Sequence, residues 1–172
     1  FVSQPAASNL AATRILDFSS PAVQAALREV SGIQRPAREF LQAAHAHVSC
    51  VVRPVYTIDE FQPASVTYGM RRGSCSQRMA CLEALSRAAG IGTRVRALWI
   101  EGRFWNPRFR LFAPFIPRRI LLAWPQFVMN GEWVDFDELY GAPNELAQRS
   151  GRGFTNSDET LFEAVRDTSV DL

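Results

Sequence analysis

Arg71-Arg72-Gly73-Ser74-Cys75-Ser76-Gln77-Arg78-Met79-Ala80-Cys81-Leu82-Glu83-Ala84-Leu85-Ser86-Arg87-Ala88-Ala89-Gly90 is the stretch on which the fold turns. Ser76–Ala89 has the composition of a helix, and Gly90 is a natural stop for it. Met79, Ala80, Cys81, Leu82, Ala84, Leu85, Ala88 and Ala89 occupy more than one helical face, the mark of a buried, central helix. Cys75 heads it, directly after Gly73-Ser74, with Gly73 permitting a tight turn. Free N–H groups and the positive end of the dipole at a helix start stabilise a thiolate. Arg71, Arg72 and Arg78 add positive charge. The same features would hold an oxyanion. Set against this, most free cysteines are small buried apolar residues, and Cys50 and Cys81 fit that description.

Upstream, Ser20-Pro21 starts a helix that runs to Val30 before Gly32. Pro36 opens a second, with Phe40, Leu41, Ala44, Val48 and Val51 at helical spacing. Val52–Tyr56 reads as extended and Ala64–Gly69 as a short helical turn. Residues 1–17 form a loose polar arm in this reading. Downstream, Arg94–Ile100 is a strand. Residues 120–129 and 132–137 are two more, joined by Asn130-Gly131, the strongest short hairpin signal. Between them, residues 102–119 mix aromatics, arginines and three prolines, which predicts a long loop. Such loops are often functional. Here Trp105 and Arg108 are candidate contacts for an apolar or anionic substrate group; packing of the loop's aromatics onto the sheet is an equal alternative. A last helix falls within 155–172, with Leu161, Phe162 and Val165 on one side. Helices, a central helix and then strands describe a single α+β domain over 1–172 with an antiparallel sheet.

Gly73-Ser74-Cys75, the Ala/Leu-rich helix and Ala88-Ala89-Gly90-Ile91-Gly92-Thr93-Arg94-Val95 together resemble the core signature of the transglutaminase-like family. Ala123-Trp124, Gln126, Asn130-Gly131, Trp133 and Asp137 resemble its second motif, a hairpin that begins His-Ala-Trp. The resemblance covers roughly residues 37–138. It implies a papain-like α+β fold and a Cys-His-Asp triad for acyl transfer or amide hydrolysis. Cys75 matches the nucleophile and Asp137 the orienting carboxylate, whereas the histidine position falls on Leu122.

A two-residue turn at Asn130-Gly131 sets Met129 opposite Glu132. Carried on, that register sets Trp124 opposite Asp137, with position 122 diagonal to Asp137. One sheet face then carries Trp124, Gln126, Trp133 and Asp135 as candidate cleft residues. Ala123, Phe127, Val134 and Phe136 line the other. Leu122 cannot accept the thiol proton. His45 and His47, the two histidines of the chain, lie on the second helix, where a packed structural role outweighs relocation to the site. Asp135 or Asp137 would replace the missing base, or the helix end and arginines would hold the thiolate without one.

Two functional classes follow. One is a thiol enzyme of altered triad, acting through Cys75 on a small-molecule or carrier-bound acyl substrate, with natural-product tailoring as a setting that tolerates the change. The other is an inactive binding or scaffold module. A minor third is a non-covalent acid/base enzyme using the cleft aspartates. The formal charge of +2 argues against nucleic acid as partner, and no apolar run reaches the ~18 residues of a membrane span. All nineteen basic Lys/Arg residues are Arg. Codon bias explains that simply, although a lysine-free acyl transferase also avoids modifying itself. The spacing of Cys, His and Asp gives no metal-ligand pattern, and no cofactor is expected. Three cysteines without a framework suit a reducing, cytoplasmic setting.

Overall fold

A computed structural model describes residues 7–32, 35–55, 57, 59, 61–102, 106 and 110–140; for Ala7, Ser8, Leu98, Ile100, Phe112, Leu122 and Asp137 it describes the backbone alone. The elements in chain order are α1 (Pro21–Val30), α2 (Ala37–Val51), β1 (Arg53–Pro54), α3 (Ala64–Met70), β2 (Arg72–Gly73) and α4 (Cys75–Ala88). Then come β3 (Thr93–Glu101), β4 (Arg119–Met129) and β5 (Glu132–Asp135), which form an antiparallel sheet in that order. β1 and β2 pair in parallel as a separate two-stranded unit. The fold is α+β, as the sequence predicts.

α4 is the central element. It packs against α1, α2, α3 and β4, and Met79, Ala80, Cys81, Leu82, Ala84 and Leu85 are all buried. Val23, Ala26 and Val30 of α1 and Leu41, Ala44 and Val48 of α2 close over it. Each fully buried Leu or Val contributes about 1.5–3 kcal/mol relative to exposure, so this layer supplies the main drive for folding. Ser20 caps α1 through its side chain on the Val23 N–H, with Pro21 at the first helical position.

The expected looseness of residues 1–17 does not hold from Ala7 onward. Ala7–Leu10 is a 3-10 turn, Asn9 Nδ2 donates to the Thr93 carbonyl (3.3 Å), and Leu16 sits in the core. The partners lie far along the chain, which is why the polar composition of the arm conceals its docking.

At the hairpin, Asn130 and Gly131 both have positive φ, 53° and 83°, as a tight two-residue turn of matching twist requires. The ladder runs Met129↔Glu132, Val128↔Trp133, Phe127↔Val134 and Gln126↔Asp135, in the expected register. It ends there. Residues 136 and 137 leave the strand, and Asp137–Leu139 forms a 3-10 turn, so no Trp124–Asp137 ladder pair exists. The reading of Phe136 on the face opposite Trp124 fails for the same reason. The chain folds over and brings the Phe136 ring edge-on to Trp124 at 5.3 Å, with Phe127 at 6.4 Å. Position 122 pairs with Leu98 of β3. Residues 102–118 connect two strands paired from Thr93↔Phe127 to Glu101↔Arg119. A Cβ on Gly102 would come 1.7 Å from the Pro117 carbonyl oxygen, so only glycine fits where the connection closes.

Candidate active site

Cys75 is the first residue of α4 and is half-buried. Its placement comes from a local device. The Ser74 hydroxyl accepts from the Gln77 N–H (3.3 Å), and the Gln77 carbonyl oxygen accepts from the Ser74 N–H (2.9 Å). This reciprocal capping box fixes the chain immediately before the thiol. Gln77 is further held by donating Nε2 to the Asp59 carbonyl (2.6 Å). Ser74-x-x-Gln77 is the sequence signal for this box. Gly73 is required for space rather than for an unusual backbone angle, because a Cβ there would meet Thr67 Cγ2 at 2.8 Å and Gln77 Cβ at 3.2 Å.

The three cysteines occupy three environments. Cys50 is exposed on α2. Cys81 is fully buried near the Ala64 carbonyl, and burial pushes its thiol far up, against the opposing pull of Arg78. Cys75 alone combines partial access with a helix head. Arg78 is buried, and its field acts on Cys81.

Gln126 and Asp135 do come together. Gln126 Nε2 donates to Asp135 Oδ1 (2.8 Å), Arg94 Nε donates to Gln126 Oε1 (2.7 Å), and Arg96 bridges Asp135 Oδ2 (2.7 Å). The Arg94 guanidinium also stacks 4.2 Å over Trp133. An amide and a guanidinium therefore occupy the two Asp135 oxygens. Trp124 is 2% exposed and belongs to the core rather than to an open cleft wall. Asp137 is placed by its backbone in the 3-10 turn after β5. Trp105 and Arg108 lie outside the described residues. A hollow of about 770 Å3 at the far end of the β3–β4 ribbon is lined by Glu101, Asn106, Arg118 and Arg119, without Cys75.

Neither histidine takes the missing place on β4. His45 is buried, shares a 2.6 Å hydrogen bond through Nδ1 with the Tyr140 hydroxyl, and packs edge-on to Phe136 at 5.1 Å. His47 lies 3.8 Å from Glu29 of α1 and tilts toward Tyr68 of α3. Of the two, His45 is the more deeply buried. No group of three or more His, Cys, Asp and Glu able to hold a metal occurs among the described residues.

With this geometry in view, the family model described as the transglutaminase-like superfamily matches residues 24–138, which hold both Cys75 on α4 and the β4–β5 hairpin. The chain belongs to the transglutaminase-like superfamily. A crystal structure of a proposed cysteine protease from Cytophaga hutchinsonii is similar in fold, with a TM-score of 0.57 at 19% identity over 80% of this chain. The match spans 43% of that structure's chain, under half its length. No curated protein matches. The likeness to that structure is one of fold. Among the described residues, no helix is long and apolar enough to cross a membrane.

Proposed function

We propose that this transglutaminase-like domain is a thiol enzyme in which Cys75 performs acyl transfer, forming or hydrolysing an amide on a small-molecule or carrier-bound acyl substrate. The observation that carries the reading is the position of Cys75: half-buried, first in a capped central helix. Family membership and the fold of the proposed cysteine protease support it. In the proposed reaction the Cys75 thiolate forms an S–C bond to the acyl carbon as the donor's leaving group departs and takes a proton. An amine or water then forms the new bond and releases the thiolate.

Leu122 at the family's histidine position makes this an altered triad. With Asp135 engaged by Arg96 and Gln126, the charge on sulfur is sustained by the helix head rather than by a side-chain base. Asp137 keeps its assignment as the family carboxylate. Trp105 and Arg108 are proposed substrate contacts, the domain is proposed to work as a single unit over 1–172, and the setting is proposed to be the cytoplasm.

The test is the pH dependence of alkylation by neutral iodoacetamide, read by peptide mass, with Cys50 and Cys81 as internal controls. Cys75 is expected to label well below the ordinary thiol pKa of about 8.5, and Cys81 to stay protected. Labelling of Cys75 no faster than a model thiol would instead identify an inactive binding module that retains the fold.

A further inference from the structure

Three arginines cluster on the segments that lead into the head of α4. Arg53 of β1 is the direct Cα partner of Arg72 of β2, and Arg71 precedes Arg72 at the end of α3. Like charges set directly opposite across a strand pair destabilise it. Arg72 also precedes the positive end of the α4 dipole, which disfavours a cation, whereas Arg71 caps the C-terminal end of α3 and Arg53 follows that of α2, where cations are favoured. Arg71 adds backbone strain, since it sits in the left-handed region at φ 50° and ψ 31°, where glycine or asparagine is easier.

Several arginines elsewhere are engaged. Arg87 meets Thr93 and the Ala11 carbonyl, Arg94 meets Gln126, and Arg96 meets Asp135. Among the described residues, Arg53, Arg71 and Arg72 make no ion pair and no side-chain hydrogen bond. All three, with Met70, line one surface depression of about 350 Å3. Arg72 is three residues from Cys75, roughly 10 Å of extended chain.

We infer that this depression binds a phosphoryl group of the substrate and so positions a phosphorylated acyl donor at Cys75, an assignment that rests on the reading of Cys75 as nucleophile. Three guanidiniums match a multiply charged phosphate better than a carboxylate, for which one bidentate arginine suffices. Bound there, the anion removes the like-charge repulsion.

The probe is pyrophosphate, titrated calorimetrically into the full chain at constant ionic strength set with chloride. Saturable binding is expected, weakened roughly tenfold for each arginine removed, hence about a hundredfold in R53Q/R72Q. R53K/R72K, which keeps the charges, controls for folding and retains part of the affinity. Absence of binding, or undiminished binding in R53Q/R72Q, overturns the inference. Placement beside the thiol has its own readout: Cys75 should prefer anionic iodoacetate over iodoacetamide relative to a model thiol, and R53Q/R72Q should lose that preference. An unchanged preference overturns the placement. Pyrophosphate binding lost in R53Q/R72Q together with a Cys75 inert to iodoacetamide leaves the anion site standing and removes the donor role.

Discussion

At the C-terminal end of α4, Arg87 is fully engaged: Nε donates to the Thr93 hydroxyl (2.8 Å), Nη2 to the Thr93 carbonyl (3.1 Å) and Nη1 to the Ala11 carbonyl (2.6 Å). Thr93 in turn donates its hydroxyl to the buried Glu83 carboxylate (2.8 Å). At the N-terminal end, Arg53, Arg71 and Arg72 crowd around a depression without such partners among the described residues. The first arrangement has the favourable sign for the helix dipole and ties α4, β3 and the N-terminal segment together. The second sets three cations together whose side chains join no elements among the described residues. The contrast is between arginine that holds the fold and arginine clustered at a surface depression.

The most damaging way to break that contrast is Thr93→Val. It removes the hydroxyl that joins Glu83 to Arg87 and leaves a buried carboxyl without its donor. A loss of about 3 kcal/mol is expected, seen as a fall of roughly 10 °C in thermal midpoint. A change of under 1 kcal/mol would show that water replaces the hydroxyl and that the latch contributes little.

Next in size is a pH effect at Glu83. Burial raises its carboxyl above the ordinary range, opposed more weakly by the Thr93 hydrogen bond and by Arg87. The folded state therefore holds this proton more tightly than the unfolded chain. The associated stability is complete below the unfolded value of about 4.3 and is lost as pH rises through the folded value. Glu83→Gln resembles the protonated form and lacks this loss. Its stability relative to the native chain should start near zero at pH 4 and become increasingly favourable on going to pH 8. The gain is about 1.4 kcal/mol for each pH unit crossed between the unfolded and folded values. Denaturant midpoints at four or five pH values measure it. A flat difference would mean that Arg87 keeps Glu83 ionised throughout.

Much of the frame around these sites was legible locally. Ser20-Pro21 and Asn130-Gly131 are complete signals within a few residues, and the helix beginning at Cys75 was readable from its all-round apolar pattern. Contacts remote in sequence were not. Arg87 reaches Ala11 and Asn9 reaches Thr93 across 76 and 84 residues, so the arm looked loose. The hairpin register was right as far as Gln126↔Asp135. Extending it assumed that β5 went on, and nothing in Asp135-Phe136-Asp137 announces that Phe136 will turn in against Trp124 and His45. Among the candidate residues, Cys75 stood out by position, and Gln126 with Asp135 by register. Arg53 was invisible, because its pairing with Arg72 depends on two strands of two residues each, too short to leave a pattern.

The smallest expected effect is the one that sharpens the comparison most. Arg71→Gly places at φ 50° the residue best suited to it and should stabilise the chain by about 0.5–1 kcal/mol, roughly 2–4 °C. If the three arginines are only solvated surface charge, that gain comes with no other change. If they hold a phosphoryl group, the same variant should bind pyrophosphate about tenfold more weakly while being the more stable protein. Greater stability with unaltered affinity would remove Arg71 from the site and leave its left-handed backbone without a functional reason. Greater stability with weaker binding would mean that the strain at the end of α3 is retained for the side chain it presents beside Cys75.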